Sequence, residues 1–129
     1  MADRKIPDPN PNPETEAFWE ATKEGRFLLR YCGDCGKTHW YPRAICPHCF
    51  SDNSEWREAS GRGVIYTYSV TRRTDPQYAI AYVTLEEGPT MISNIVDCSY
   101  DDLRVGQAVQ VTFKQSEGGF AVPMFTPAG

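Results

Sequence analysis

Four cysteines in two pairs constrain this chain more than any other feature. Cys32 and Cys35 are two residues apart, ten residues follow, and Cys46 and Cys49 repeat the gap. Each C-x2-C pair folds as a tight turn that aims two thiolates at one point. Two such turns facing each other make the tetrahedral sulfur cage that zinc takes in closed structural sites. Gly33 and Gly36 supply permissive backbone for the first turn, and Pro47 stiffens the second. Such a site leaves no open position for substrate, so it is expected to be architectural. Two disulfides are the weaker reading. The chain opens charged and proline-rich with no apolar signal segment, which predicts a cytoplasmic location, where structural disulfides are rare. Iron stays open at this point, because four thiolates also hold iron.

The 129 residues carry a net charge of −4, enough chain for one ordinary domain or two very small ones. An acidic balance argues against nucleic acid as a partner, since phosphate contacts need Lys and Arg. No apolar run approaches a membrane span. Residues 1–13 hold four prolines and read as an extended arm, either free or laid on a partner. A helix is expected next, capped by Asn12 with Pro13 in its first turn and ended by Gly25. Phe18 and Trp19 lie on it as neighbours. The simple reading is that both pack; the alternative turns one toward a groove.

Residues 26–31 and 38–42 read as strands flanking the first cysteine turn, and 54–58 as a third. The Ser60-Gly61-Arg62-Gly63 stretch marks a boundary. Beyond it come five strand-like runs, at 64–71, 78–85, 90–96, 108–113 and 120–125, rich in β-branched and aromatic residues. Five short strands in this length predict a small closed barrel of OB type, with a small sandwich as the alternative. The predicted class is mostly β: arm and helix over 1–26, zinc ribbon over 27–58, barrel over 59–129.

No catalytic constellation emerges. His39 falls on a ribbon strand and His48 inside the second cysteine turn, where the four sulfurs already complete a shell. Cys98 is a lone thiol, read as a small core residue, and Asp97, Asp101 and Asp102 beside it read as turn residues. Lys37, Arg43, Arg72 and Arg73 are the cations near aromatic residues, a set suited to a phosphate-bearing ligand or simply to solubility.

In its order of motifs the chain resembles the acyl-CoA-associated proteins that join a rubredoxin-like zinc ribbon to an OB-fold. The matching stretches are Phe18-Trp19-Glu20, Glu24-Gly25-Arg26, C-G-D-C-G, and Pro42-Arg43 leading to C-P-H-C. They continue through Glu55-Trp56, residues 60–68, Leu85-Glu86-Glu87-Gly88, Val105-Gly106 and Pro123-Met124-Phe125. The resemblance implies a non-catalytic subunit that pairs with a thiolase-like enzyme acting on acyl-CoA thioesters. The partner would supply the nucleophile, and coenzyme A or its channel would lie against this chain. Residue type and position then nominate Arg43, Arg72 and Arg73 for the phosphates, and Trp19, Trp40 and Tyr41 for pantetheine or adenine. A nucleic-acid-binding ribbon and barrel module is the competing function, and no membrane association is expected.

Overall fold

The computed structural model describes residues 5–128. After the arm, α1 (Glu16–Lys23) leads into a three-stranded antiparallel sheet of β1 (Leu28–Cys32), β2 (Thr38–His39) and β3 (Ser54–Glu58), ordered β2-β1-β3. Five longer strands follow: β4 (Arg62–Thr71), β5 (Tyr78–Leu85), β6 (Thr90–Ile95), β7 (Ala108–Gln115) and β8 (Ala121–Pro127). They close a barrel in the order β4-β5-β6-β8-β7. Closure rests on the β4–β7 pair, from Arg62↔Gln110 to Val64↔Ala108, and on the parallel contact Ile95↔Phe125 between β6 and β8. A barrel removes the open edges that five short strands would otherwise expose.

Alternation along the strands explains the core. On β5 the inward Ala79, Ala81, Val83 and Leu85 are all buried, while Ile80 and Tyr82 between them point out. An aromatic hub then joins helix, ribbon and barrel. The Phe18 ring, fully buried, meets Trp19 at 5.0 Å, Trp40 at 5.2 Å and Phe27 at 6.0 Å edge-on, and Phe27 in turn meets Phe125 of β8 at 6.4 Å. Phe18 and Trp19 therefore both pack.

Three local expectations are corrected. Asn12 does not cap α1 itself. Its side-chain oxygen accepts the Glu14 and Thr15 amides in a turn one step earlier, so Pro13 stands before the helix, which starts at Glu16. The strand expected over 38–42 stops at His39, because the chain bends to bury Trp40 against Phe18 and Phe27. The arm is neither free nor reserved for a partner over its described part. Glu117 donates its amide to the Ile6 carbonyl (2.9 Å), and the Asp8 carboxylate accepts Ser116 Oγ (2.6 Å) and the Gly118 amide (2.7 Å). Residues 5–8 are thus tied to the β7–β8 turn. Residues 1–4 of the predicted arm lie outside the described residues.

Candidate metal centre and its surroundings

Each cysteine pair sits in a loop whose backbone closes on itself. In the first, Cys32 donates to the Lys37 carbonyl and Gly36 donates to the Cys32 carbonyl, both at 2.9 Å. In the second, Cys46 donates to Ser51 (2.9 Å) and Phe50 to Cys46 (2.8 Å). The two loops are clasped by Asp34, whose carboxylate accepts the Ser51 hydroxyl and Asn53 Nδ2, and by the Gly33 amide on the Asn53 carbonyl. These bonds hold the Asp34 carboxyl below its usual range, Ser51 first and Asn53 second.

The result is a cage. All four sulfurs lie within 4.8 Å of one another, with Cys32–Cys49 at 3.5 Å and Cys35–Cys46 at 3.7 Å. Tetrahedral zinc with its ordinary bond length to sulfur sets neighbouring sulfurs about 3.8 Å apart, so the residues fit the ion. The His48 amide also points at Cys46 Sγ (3.4 Å), the kind of donor that steadies a bound thiolate. Without a cation the crowded thiols cannot ionise together. The Cys35 amide, followed by other donors, draws Cys32 down to about 7. On Cys49 the Ser51 amide pulls the same way, but desolvation and the three neighbouring sulfurs win and push it up to about 12. A dication removes that conflict by favouring all four thiolates.

Neither histidine enters the cage. His39 is buried on β2, and burial, then the Arg30 charge, push its pKa down, leaving a neutral ring at pH 7. His48 is exposed.

The tentative ligand set is distributed over three places. Trp19 is buried, also edge-on to Phe120, and Trp40 is half-buried on the hub beside Tyr41 (5.0 Å). Tyr41 and Arg43 are exposed on the ribbon. Arg72 and Arg73 are exposed on the β4–β5 connection, where Arg72 is paired with Asp101 at 3.0 Å. Arg72 lines a cavity of about 800 Å³ at one end of the barrel, together with Tyr78, Cys98, Lys114 and Met124. Cys98 is half-buried there, and burial, then Asp97 and Asp102, push its thiol up. It is therefore protonated at neutral pH and poorly suited to nucleophilic attack. Sequence reasoning did not anticipate this cavity, since it forms where two loops meet. Six of the cations, Lys23, Arg26, Arg57, Arg62, Arg72 and Lys114, stand in surface ion pairs with carboxylates. Among the described residues no helix is long and apolar enough to cross a membrane.

Comparison with known proteins agrees with this architecture. Residues 19–55 match the family described as ChsH2, rubredoxin-like zinc ribbon domain, and residues 56–114 match ChsH2, C-terminal OB-fold domain. A DUF35 domain-containing scaffold protein of Methanocaldococcus jannaschii is 35% identical over 75% of this chain and 74% of its own length. A probable enoyl-CoA hydratase alpha subunit of Thermomonospora curvata is 31% identical over 87% of this chain, and the match spans only 37% of that relative's length. Among solved structures, a chain of the Ltp2-ChsH2(DUF35) aldolase superposes with a TM-score of 0.82 at 28% identity, covering 95% of this chain and all of that one. A Sulfolobus solfataricus DUF35 protein of unknown function shares the fold at 16% identity, with a TM-score of 0.68.

A four-cysteine ribbon fused to a closed five-stranded OB barrel defines a class of two-part zinc-ribbon proteins. This chain belongs to the ChsH2/DUF35 family within it.

Proposed function

We propose that the chain is a non-catalytic accessory subunit of a heteromeric thiolase-like enzyme (a thiolase, aldolase or acyltransferase) acting on acyl-CoA thioesters in the cytoplasm. The observation that carries this reading is the near full-length likeness to a chain of an aldolase named for two proteins. The chemistry of the site supports it. The four cysteines are arranged to be taken up by a structural ion, Cys98 is held as a thiol, and the carboxylates Asp97 and Asp101 are engaged by Lys114 and Arg72. A chain with this inventory contributes shape rather than a nucleophile.

The zinc cage and the aromatic hub fix ribbon and barrel as one support for the partner. Tyr41, Arg43, Arg72 and Arg73, exposed on the two halves, would face coenzyme A from this side, with arginine suited to its phosphates. Trp19 and Trp40 would act by holding the surface that carries Tyr41. Coexpression with a thiolase-like protein from the same organism tests the reading. A stable complex, with acyl-CoA turnover that needs both chains, is expected. A partner fully active alone, with this chain remaining monomeric beside it, would overturn it.

A further inference from the structure

The outer face of β4, β5 and β6 carries a contiguous apolar surface. Val64 and Tyr66 on β4, Ile80 and Tyr82 on β5, and Ile92 on β6 all point to solvent; Tyr66 is 67% exposed, Ile92 53% and Tyr82 47%. Register brings them together. Tyr82 sits directly opposite Ile92, and Thr67 lies opposite Tyr82 on the other side. A β-bulge between Ile65 and Thr67 breaks the alternation, so that Tyr66 and Thr67 both face outward while Ile65 stays buried. Bulges of this kind re-aim side chains where a sheet is used for binding.

The face is also free of charge. Between its ends, the remaining outward positions on the three strands are serine, threonine or asparagine, in a chain of which 23% is charged. Among the described residues, charged pairs stand at its margins, Arg62 with Glu86 (2.8 Å) at one end and Arg72 with Asp101 (3.0 Å) at the other. An uncharged aromatic centre with a paired polar rim is the anatomy of an interface core. Its apolar area is on the order of 400 Å², the size at which an exposed patch on a single chain marks a binding surface. A standard interface takes about 800 Å² from each side, so this patch supplies a core and its rim the rest.

We infer that this face is the seat of the catalytic partner subunit, which meets it with an apolar, uncharged surface of its own. The inference rests on the proposed function and adds the surface through which it operates. Tyr66 and Tyr82 are its anchors, since large rigid aromatics dominate such interfaces.

The test measures the affinity of the wild-type chain and of Tyr66→Ser, Tyr82→Glu and Ile92→Thr for a thiolase-like protein from the same organism. Zinc content and far-UV circular dichroism check each fold. Ile92→Thr keeps a β-branched residue, so it remains informative if the charged variant misfolds. Tyr66→Ser and Tyr82→Glu are expected to weaken binding at least about tenfold and Ile92→Thr less, with fold and zinc unchanged. Wild-type binding that all three variants retain would overturn the assigned face and leave the accessory role standing. A wild-type dimer that Tyr82→Glu turns into a monomer, with partner affinity unaltered, would assign the face to a second copy and overturn the inference. No binding by the wild type would overturn the accessory role, and the inference with it.

Discussion

Gly36 and Phe50 occupy equivalent steps of the two cysteine loops, each directly after the second cysteine, and both take a left-handed backbone, with φ of 73° and 64°. For glycine this conformation is free; for phenylalanine it is costly, and the ring is left 79% exposed. The C-G-D-C-G motif announces the turn at Gly36, whereas nothing in C-P-H-C-F does so for Phe50, because side-chain identity there contradicts backbone need. Gly36→Ala should destabilise the metal-loaded protein by about 1 kcal/mol, read by thermal unfolding with zinc in excess. Cys98 was legible only in part. Its place against the core was expected, but the cavity it lines requires the β4–β5 connection to fold over it. Full activity of a Cys98→Ala complex is the expected outcome, checked by the partner-dependent assay.

Strands, helix and ribbon were readable as elements because their signals are local: β-branched and aromatic runs for the barrel strands, paired cysteine spacing for the ribbon, and Gly25 for the end of the helix. What escaped were long-range attachments. Asp8 reads as one charge in a proline-rich arm, yet it holds two groups of the β7–β8 turn at the far end of the chain. A Cβ at Gly118 would collide with that carboxylate, so both Asp8→Ala, which removes the acceptor, and Gly118→Ala should release the arm. Hydrogen exchange checks this: the Glu117 amide, bonded to Ile6, should lose protection while β5 amides keep theirs. The bonds from Ser116 first and Gly118 second hold the Asp8 carboxyl below its usual range. Their contribution is therefore complete above the ordinary carboxylate pKa and is lost as pH falls through the lowered one. The arm should be fixed at neutral pH and loosen only in acid, below about pH 4. Phe18→Ala would leave a cavity where helix, ribbon and barrel meet, with an expected loss of about 3–5 kcal/mol in denaturant unfolding.

At the scale of the molecule, the cysteine cage acts through the hub. β1 runs from the core residues Leu28 and Leu29 into the ligand Cys32, so loss of the ion reaches the contact of Phe27 with barrel Phe125. Cys32→Ser or chelation should unfold the ribbon and lower partner affinity, and metal analysis of the wild type should find one zinc per chain. The proposed accessory role accords with the same organisation: the paired cysteines are arranged for metal, and Asp8, Asp97 and Asp101 are held by the arm's bonds or in ion pairs. Acyl-CoA turnover by the chain alone, by a thiolase-like partner alone and by the reconstituted pair is the direct test. The account predicts that only the pair is fully active and that the chain alone is inert. Turnover by the isolated chain, or a partner unaffected by its presence, would contradict it.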